Sequence, residues 1–174
     1  MVQVSVQSLG LDRASNTPVV ILQEHDGERV LPIWIGPAEA SAIAYEMAHM
    51  KFARPLTHDL LASVLGSLGG ALQKVIISRV EANTYFAEMI IRRNGEVISV
   101  DARPSDSIAV ALRLEADIFA DEALLERRVL GDQEEQSMGV PPGFEPETDS
   151  EMGPDELKEY LRKLAPEDFG RFTP

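Results

Sequence analysis

The chain has 174 residues, no cysteine and a formal net charge of −13 at pH 7. The lack of cysteine excludes disulfides, thiolate metal sites and a cysteine nucleophile, and no apolar run in the sequence is long enough to span a membrane. The first six residues alternate like a β-strand and lack the charged start and apolar middle of a signal peptide, so we expect a cytoplasmic protein without a membrane partner.

Most of the negative charge lies in the last third of the chain. Up to Arg113 there are 12 acidic and 10 basic residues, whereas from Leu114 onward there are 17 acidic and 6 basic residues. The near-neutral body can therefore still present a local basic groove, which a uniformly acidic protein could not do.

The first part of the chain predicts three strands followed by two helices. Alternating apolar residues indicate the strands, and Pro32 favours either an edge position or a later start for the third of them. Gly36-Pro37 ends that strand, and Thr57 is the predicted N-cap of the second helix. The predicted elements are strands 2–11, 18–24 and 29–35 and helices 38–50 and 56–65.

The middle of the chain predicts an antiparallel meander of three strands. Asn83-Thr84 and Asn94-Gly95 are turn sequences, and the second pair is among the strongest hairpin signals. The meander leads into a polar corner and then a helix with Ser105 as its predicted N-cap. The predicted elements are strands 71–82, 85–93 and 96–101, a helix from 105, a short strand 116–120, and a short helix from Asp121 through Arg128.

These elements predict an α+β fold with a mixed, largely antiparallel sheet, a β-meander in its C-terminal half, and several short helices packed on it. We expect this domain to cover residues 1–130. The composition of residues 131–153 is typical of a flexible acidic linker. Residues 154–174 are predicted to form an amphipathic helix and a tail.

Two polar clusters, each at a helix entry after a proline break, are the candidates for chemistry. Asp101, Arg103 and Asp106 surround Pro104, and His58-Asp59 follows Arg54-Pro55. If the two helix entries face each other, they join an imidazole, up to three carboxylates and two guanidinium groups. Helix capping and surface salt bridges explain the same composition, so both interpretations stand at this point.

The residue types in these clusters suit phosphodiester chemistry. Carboxylates and an imidazole are ligands for Mg²⁺ or Mn²⁺, which activate water, and we expect Asp101, Asp106 and His58 to be the metal ligands. Arg54 and Arg103 would hold phosphate through bidentate hydrogen bonds. The sequence contains no phosphate-binding loop, dinucleotide fingerprint, Gly-x-Ser-x-Gly elbow or paired-histidine zinc helix.

Several sequence blocks resemble the bifunctional nuclease family. They are Leu31-Pro32-Ile33-Trp34-Ile35-Gly36 with Glu39-Ala40, then Arg54-Pro55-Leu56-Thr57-His58-Asp59-Leu60-Leu61, then Tyr85-Phe86-Ala87, and finally Asp101-Ala102-Arg103-Pro104-Ser105-Asp106-Ser107-Ile108-Ala109. The blocks occur in the family's order and cover about residues 1–130. The resemblance implies an α+β domain, often dimeric, with nuclease activity on RNA and DNA.

Within these blocks we expect His58 to be a general base or metal ligand. Asp59, Asp101 and Asp106 are expected to bind metal or position water, with nucleic acid as the substrate and a second copy of the chain as a partner. Two alternatives stay open. One is a non-catalytic, dimeric binding or regulatory module whose polar corners are structural, and the other is a phosphodiesterase for small molecules.

Overall fold

The computed structural model describes residues 1–12 and 15–127. The predicted linker at 131–153 and the predicted C-terminal helix and tail at 154–174 lie outside these residues. No helix in the described ranges is long and apolar enough to cross a membrane. The cytoplasmic location stays a prediction from the sequence.

The described residues form one eight-stranded mixed sheet with three α-helices, as the α+β prediction requires. The strand order is β6-β5-β4-β7-β1-β2-β3-β8. Neighbours in this order run antiparallel except for β4 and β7, which are parallel. The strands are β1 (Val2–Asp12), β2 (Thr17–Glu24), β3 (Arg29–Trp34), β4 (Gly70–Glu81), β5 (Thr84–Arg93), β6 (Glu96–Ala102), β7 (Asp117–Ala120) and β8 (Glu126–Arg127).

The predicted meander is confirmed as β4, β5 and β6. Asn94 and Gly95 both have positive φ, +50° and +85°, which is the conformation that a two-residue type I′ hairpin turn requires. This turn sets the register in which Arg93 lies opposite Glu96 and Asp101 lies opposite Glu88. The meander therefore delivers the chain from β6 directly to the polar corner.

One face of the sheet carries the core. Side chains alternate between the two faces of a strand, so Val75 and Ile77 of β4 share a face with Met89 of β5 and Ile118 of β7. The helices cover this face, and the buried side of the third helix, including Ile108, belongs to the same apolar cluster. The helices are α1 (Pro37–Met47), α2 (Thr57–Ser67) and α3 (Pro104–Leu114).

The helix caps differ from the prediction. Neither Thr57 nor Ser105 is an N-cap: α2 begins at Thr57 after Leu56, and α3 begins at Pro104 after Arg103. Proline suits the first helical position because its fixed φ is helical and its missing N–H has no partner there. This moves the N-cap of α3 two residues toward the N-terminus, from Ser105 to Arg103, and Ser105 is buried in the first turn.

The segment after Asp121 also differs from the prediction. Asp121 accepts a hydrogen bond from the Ala123 amide at 2.9 Å, as a cap should. However, the element that follows is a 3₁₀ turn, Glu122–Leu124, and then the short strand β8, which pairs with β3. The predicted helix is wrong because β3 offers an unpaired edge at Arg29 and Val30, and the chain pairs with it.

Candidate functional site

The first turns of α1 and α2 each contact the start of α3, through Arg103 with Glu39 and through His58 with Asp106. Each helix follows an X-Pro break or starts at its proline, and each has a carboxylate in its first turn: Glu39 in α1, Asp59 in α2 and Asp106 in α3. The positive ends of helix dipoles favour anionic groups. The sequence therefore places an acidic side chain at the positive end of each helix, and Glu39 and Asp106 share Arg103 as their partner.

His58 and Asp106 are brought together across 48 positions of sequence. His58 Nε2 lies 3.1 Å from Asp106 Oδ1, and the His58 side chain is only 14% exposed. An ionised Asp106 makes Nε2 the protonated nitrogen, so the basic lone pair is at Nδ1. Nδ1 makes no hydrogen bond with any described residue, and no polar side-chain atom in this part of the chain is both buried and without a partner. Nδ1 therefore keeps some contact with solvent.

Arg103 connects this pair to α1. Its Nε donates to Asp106 Oδ2 at 2.7 Å and its Nη2 to Asp106 Oδ1 at 3.2 Å, whereas its Nη1 lies 2.8 Å from Glu39 Oε1. The Arg103 side chain is nevertheless 66% exposed. The guanidinium is thus held in place by two carboxylates while one side of it faces solvent.

The surroundings of Asp106 keep its carboxyl group ionised. Burial by itself raises the pKa of Asp106, but hydrogen bonds from Arg103 and His58 outweigh burial, and the net pKa lies below its ordinary value. An ionised carboxylate is what fixes the tautomer and orientation of a histidine base.

Asp59 belongs to a different contact. Its Oδ1 accepts from Arg113 Nε at 2.5 Å, and its Oδ2 accepts from the Leu56 amide at 2.8 Å, at the start of α2. Burial raises the pKa of Asp59, and these two hydrogen bonds lower it further than burial raises it. Arg113 also donates to the carbonyl oxygens of Ala42 and Ala109, at 3.1 and 2.8 Å. Asp59 and Arg113 therefore tie α1, α2 and α3 together.

The other two predicted site residues lie outside these contacts. Arg54 is exposed in the segment before α2 and makes no ion pair with a described residue. Asp101 is exposed on β6, and its register partner Glu88 places it on the sheet face opposite to the helices. The structure thus joins His58, Asp106 and Arg103, and it does not join Asp101 to them.

The residues as placed do not fit the predicted metal site. Both oxygens of Asp106 are engaged by Arg103 and one of them also by His58. Within residues 1–12 and 15–127 there is no group of three or more histidine, aspartate and glutamate side chains arranged to hold a metal ion. The Asp106 carboxylate is therefore engaged with protein partners and is not arranged as a metal ligand.

Two residues of the site were not among the sequence candidates. Glu39 follows Gly36-Pro37 in the same way that Asp106 follows Arg103-Pro104, so the repeated proline break was a usable signal. Arg113 is seven positions after Asp106, which places both on one side of α3. Its role depends on α2 crossing α3, which no local pattern predicts.

Comparison with known proteins supports the family resemblance. Residues 20–131 match the model of the bifunctional nuclease domain family. An uncharacterised protein of Mycobacterium tuberculosis is 38% identical over 172 residues, which cover 97% of this chain and 98% of the mycobacterial protein.

Plant proteins named bifunctional nucleases are more distant. Bifunctional nuclease 1 of Arabidopsis thaliana is 27% identical over 105 residues, which are 58% of this chain and 32% of the plant protein. Bifunctional nuclease 2 of Oryza sativa subsp. japonica is 26% identical over 116 residues, which are 64% of this chain and 36% of the plant protein. The similarity therefore covers about a third of each plant protein.

Proposed function

Because the chain belongs to the bifunctional nuclease domain family, we propose that it hydrolyses phosphodiester bonds in RNA or DNA. The observation that carries the proposal is the 3.1 Å contact between His58 Nε2 and Asp106 Oδ1, beside the exposed guanidinium of Arg103. A histidine held by an ionised carboxylate is suited to general base catalysis near neutral pH.

In the proposed reaction, His58 Nδ1 takes a proton from the attacking hydroxyl group. That group belongs to a water molecule, as hydrolysis requires. Its oxygen forms a bond to phosphorus, and the bond from phosphorus to the leaving oxygen breaks. The proton then returns from the imidazolium, directly or through water, to the leaving oxygen. Asp106 stabilises the imidazolium that forms in between.

Arg103 and Arg54 are the groups we assign to phosphate binding. The Arg103 guanidinium is exposed to solvent, and its Nε lies 2.7 Å from Asp106 Oδ2. Arg54 lies four positions before His58 in the sequence. Guanidinium groups bind phosphate oxygens in a bidentate geometry and offset their charge. The two arginines would bring the scissile phosphate next to His58.

The test is hydrolysis of labelled single-stranded RNA and DNA by the full chain and by His58→Gln. We expect the substitution to lower kcat by about 10²- to 10⁴-fold, the range of a lost general base. His25→Gln is the matched control, because His25 is exposed in the turn after β2. Equal activity of His58→Gln and the unchanged chain would refute the assignment.

The same assay separates the finer parts of the proposal. A divalent ion stays a prediction from the sequence, and activity that survives EDTA would contradict it. Bis(p-nitrophenyl) phosphate tests the small-molecule alternative, since it has a phosphodiester bond but no nucleotide. Cleavage of this ester without cleavage of RNA or DNA would favour a small-molecule phosphodiesterase.

A second candidate function is a non-catalytic binding or regulatory module. The observation in its favour is that arginine engages Glu39, Asp59 and Asp106, an arrangement that also stabilises a fold. Retention of a labelled oligonucleotide on the protein, measured against salt concentration, tests whether nucleic acid is the partner. Absence of binding at low salt with Mg²⁺ present would favour the non-catalytic module over the nuclease.

The family resemblance also implies a dimer, and we propose that the chain forms one in solution. This part of the proposal is independent of the chemistry at His58. Sedimentation equilibrium of the full chain tests it, and a single species with the mass of one chain would contradict it.

A further inference from the structure

The two edges of the sheet are built differently. The edge at β3 carries Pro32, which has no amide hydrogen to offer a further strand, and its first residues are covered by the two-residue β8. The edge at β6 is seven residues long, with no proline or lysine and no bulge in its pairing with β5. Proteins usually prevent an exposed edge strand from pairing with another strand by placing a proline, a lysine or a bulge in it. Within the described chain, nothing pairs with the outer side of β6.

Apolar side chains are exposed along this edge. Ile98 and Val100 lie opposite the buried Ile91 and Met89, so they continue the apolar face of the sheet, yet they are 39% and 41% exposed. Val97, on the other face, is 68% exposed. An open strand edge with apolar residues on both faces is a surface that another strand can cover.

We propose that a second copy of this chain pairs with β6, antiparallel to it, about a two-fold axis at Ser99. The inference rests on the dimer proposed above and assigns its interface, and it does not depend on nuclease activity. Such a contact is isologous, because the same strand is used by both subunits. It would join the two sheets into one of sixteen strands.

The register about Ser99 is self-complementary. It places Ile98 opposite Val100 of the second copy, so an apolar pair forms twice on the helix face. It also places Val97 opposite Asp101 and Glu96 opposite Ala102, so no like charges lie directly opposite each other. Cross-strand pairs of this kind stabilise sheets.

The charges near the edge also fit this register. Arg92 lies beside Val97, is exposed, and makes no ion pair with a described residue. Asp101 lies beside another carboxylate, Glu88, in the register of β5 and β6. In the dimer, Arg92 and Asp101 of the other copy lie on one face, two strand spacings or about 10 Å apart at Cα. An extended arginine side chain reaches across that distance, and the contact occurs twice.

A second copy is a better occupant than the end of this chain. The described chain ends at Arg127 on β8, seven strand spacings or about 34 Å from β6. The 47 residues that follow contain 12 acidic and 5 basic residues. This segment would bring negative charge to an edge that already carries Glu96 and Asp101.

The interface also meets the candidate site. β6 ends at Ala102, so the proposed pairing stops one residue before Arg103. In this register, Glu96 of the second copy lies opposite Ala102 and next to that arginine. Each subunit would thus form one wall beside the other subunit's site.

A cysteine at the two-fold axis tests the proposal directly. The chain has no cysteine, so Ser99→Cys in the full chain introduces a single thiol. Residues directly opposite in antiparallel strands have Cα atoms about 4.5–5.5 Å apart, within the range that a disulfide spans. We expect oxidised glutathione to convert most of this variant to a covalent dimer. Val80→Cys is the control, because Val80 is 42% exposed but lies on β4.

The outcomes separate the interface from the dimer. A dimer in sedimentation equilibrium whose Ser99→Cys variant cross-links no more than Val80→Cys would overturn the interface and leave the dimer standing. A monomer at 100 µM protein, a concentration on the order of weak dimers, would overturn both. Neither result bears on the nuclease assay, which is read from His58→Gln.

A charge exchange tests the register without a thiol. Arg92→Asp places like charges next to each other at both ends of the interface, and we expect it to raise the dissociation constant of the dimer at least about tenfold. Adding Asp101→Arg should restore most of the affinity. Failure of the double variant to recover, with an unchanged circular dichroism spectrum, would overturn this register.

Discussion

Asp59 and Asp106 occupy equivalent places in their helices, yet their surroundings differ. Each is in a helix first turn and each accepts hydrogen bonds from an arginine. The arginine that binds Asp59 is Arg113, only 6% exposed, whereas the arginine that binds Asp106 is Arg103, which is 66% exposed.

This difference suggests a division of roles. Arg113 Nη1 donates to backbone carbonyls of α1 and α3, so the Asp59 contact is closed within the fold. Arg103 and His58 keep one side of the Asp106 contact accessible. Both contacts pair an aspartate with an arginine, so residue type does not distinguish them. The solvent exposure of the arginine does, because Arg113 is buried and Arg103 is exposed.

Exchanging each aspartate for asparagine gives the sharpest separation of the two clusters. Asp106→Asn removes the charge that orients His58, so we expect kcat on RNA or DNA to fall by about 10²- to 10⁴-fold, with a stable fold. Asp59→Asn should leave the kcat of the folded protein within about threefold, since this residue does not contact His58 in the proposed reaction. A larger loss of kcat in Asp59→Asn would break the comparison.

Removal of the buried cation tests the structural role of the other cluster. Arg113→Met removes the charged donor of Asp59 Oδ1 and one donor from each of two backbone carbonyls, and we expect the free energy of unfolding to fall by about 2–4 kcal/mol. Urea unfolding followed by circular dichroism measures this change. Arg93→Met is the control, because Arg93 is exposed at the end of β5 and should change stability by less than about 0.5 kcal/mol.

The fold was largely predictable because its signals are local. Asn94-Gly95 specifies a turn, and the alternation of β4 and β5 specifies their inner face. Pro32 indicated an edge position or a late start for β3. The strand starts at Arg29 and has β8 as its outer neighbour, but β8 pairs only with Arg29 and Val30, so among the described residues the outer side of β3 is unpaired at Pro32. The parallel pairing of β4 and β7 was not predictable, because it depends on α3 carrying the chain back across the sheet.

The site was predictable only in part. The two polar clusters could form one site only if the starts of α2 and α3 faced each other, and the contact between His58 and Asp106 shows that they do. Asp101 is close to Arg103 in sequence, but strand alternation and register turn it to the other face of the sheet. The helix caps were assigned to Thr57 and Ser105 by residue type, while the prolines that precede the helices decide where α3 starts.

Acid should destabilise the protein through both clusters. The pKa values of Asp59 and Asp106 are lower in the folded protein than their ordinary value of 3.8. A lowered pKa contributes stability that is fully present above pH 3.8 and is lost as pH falls through the lower, folded value. We therefore expect the urea concentration at the unfolding midpoint to decrease as the pH is lowered below about 4.

The two asparagine variants apportion this acid effect. Each variant lacks one of the two carboxyl groups, so its urea midpoint should depend less steeply on pH than that of the unchanged chain. The expected difference is confined to the range below about pH 4. An identical pH dependence in Asp59→Asn and the unchanged chain would mean that the ion pair with Arg113 contributes no stability.

Arg103→Lys should have the smallest effect and tests what the exposed guanidinium contributes. A lysine keeps the positive charge near Asp106, so His58 stays oriented and kcat should change by less than about threefold. The planar fork that reaches Glu39, Asp106 and a phosphate together is lost, so KM should rise by about three- to tenfold, or roughly 1 kcal/mol. Steady-state kinetics on single-stranded RNA separates the two constants. If kcat falls as far as in Asp106→Asn while KM is constant, then Arg103 acts by positioning His58 and not by binding phosphate. Arg103 would then have the same structural role beside Asp106 that Arg113 has beside Asp59.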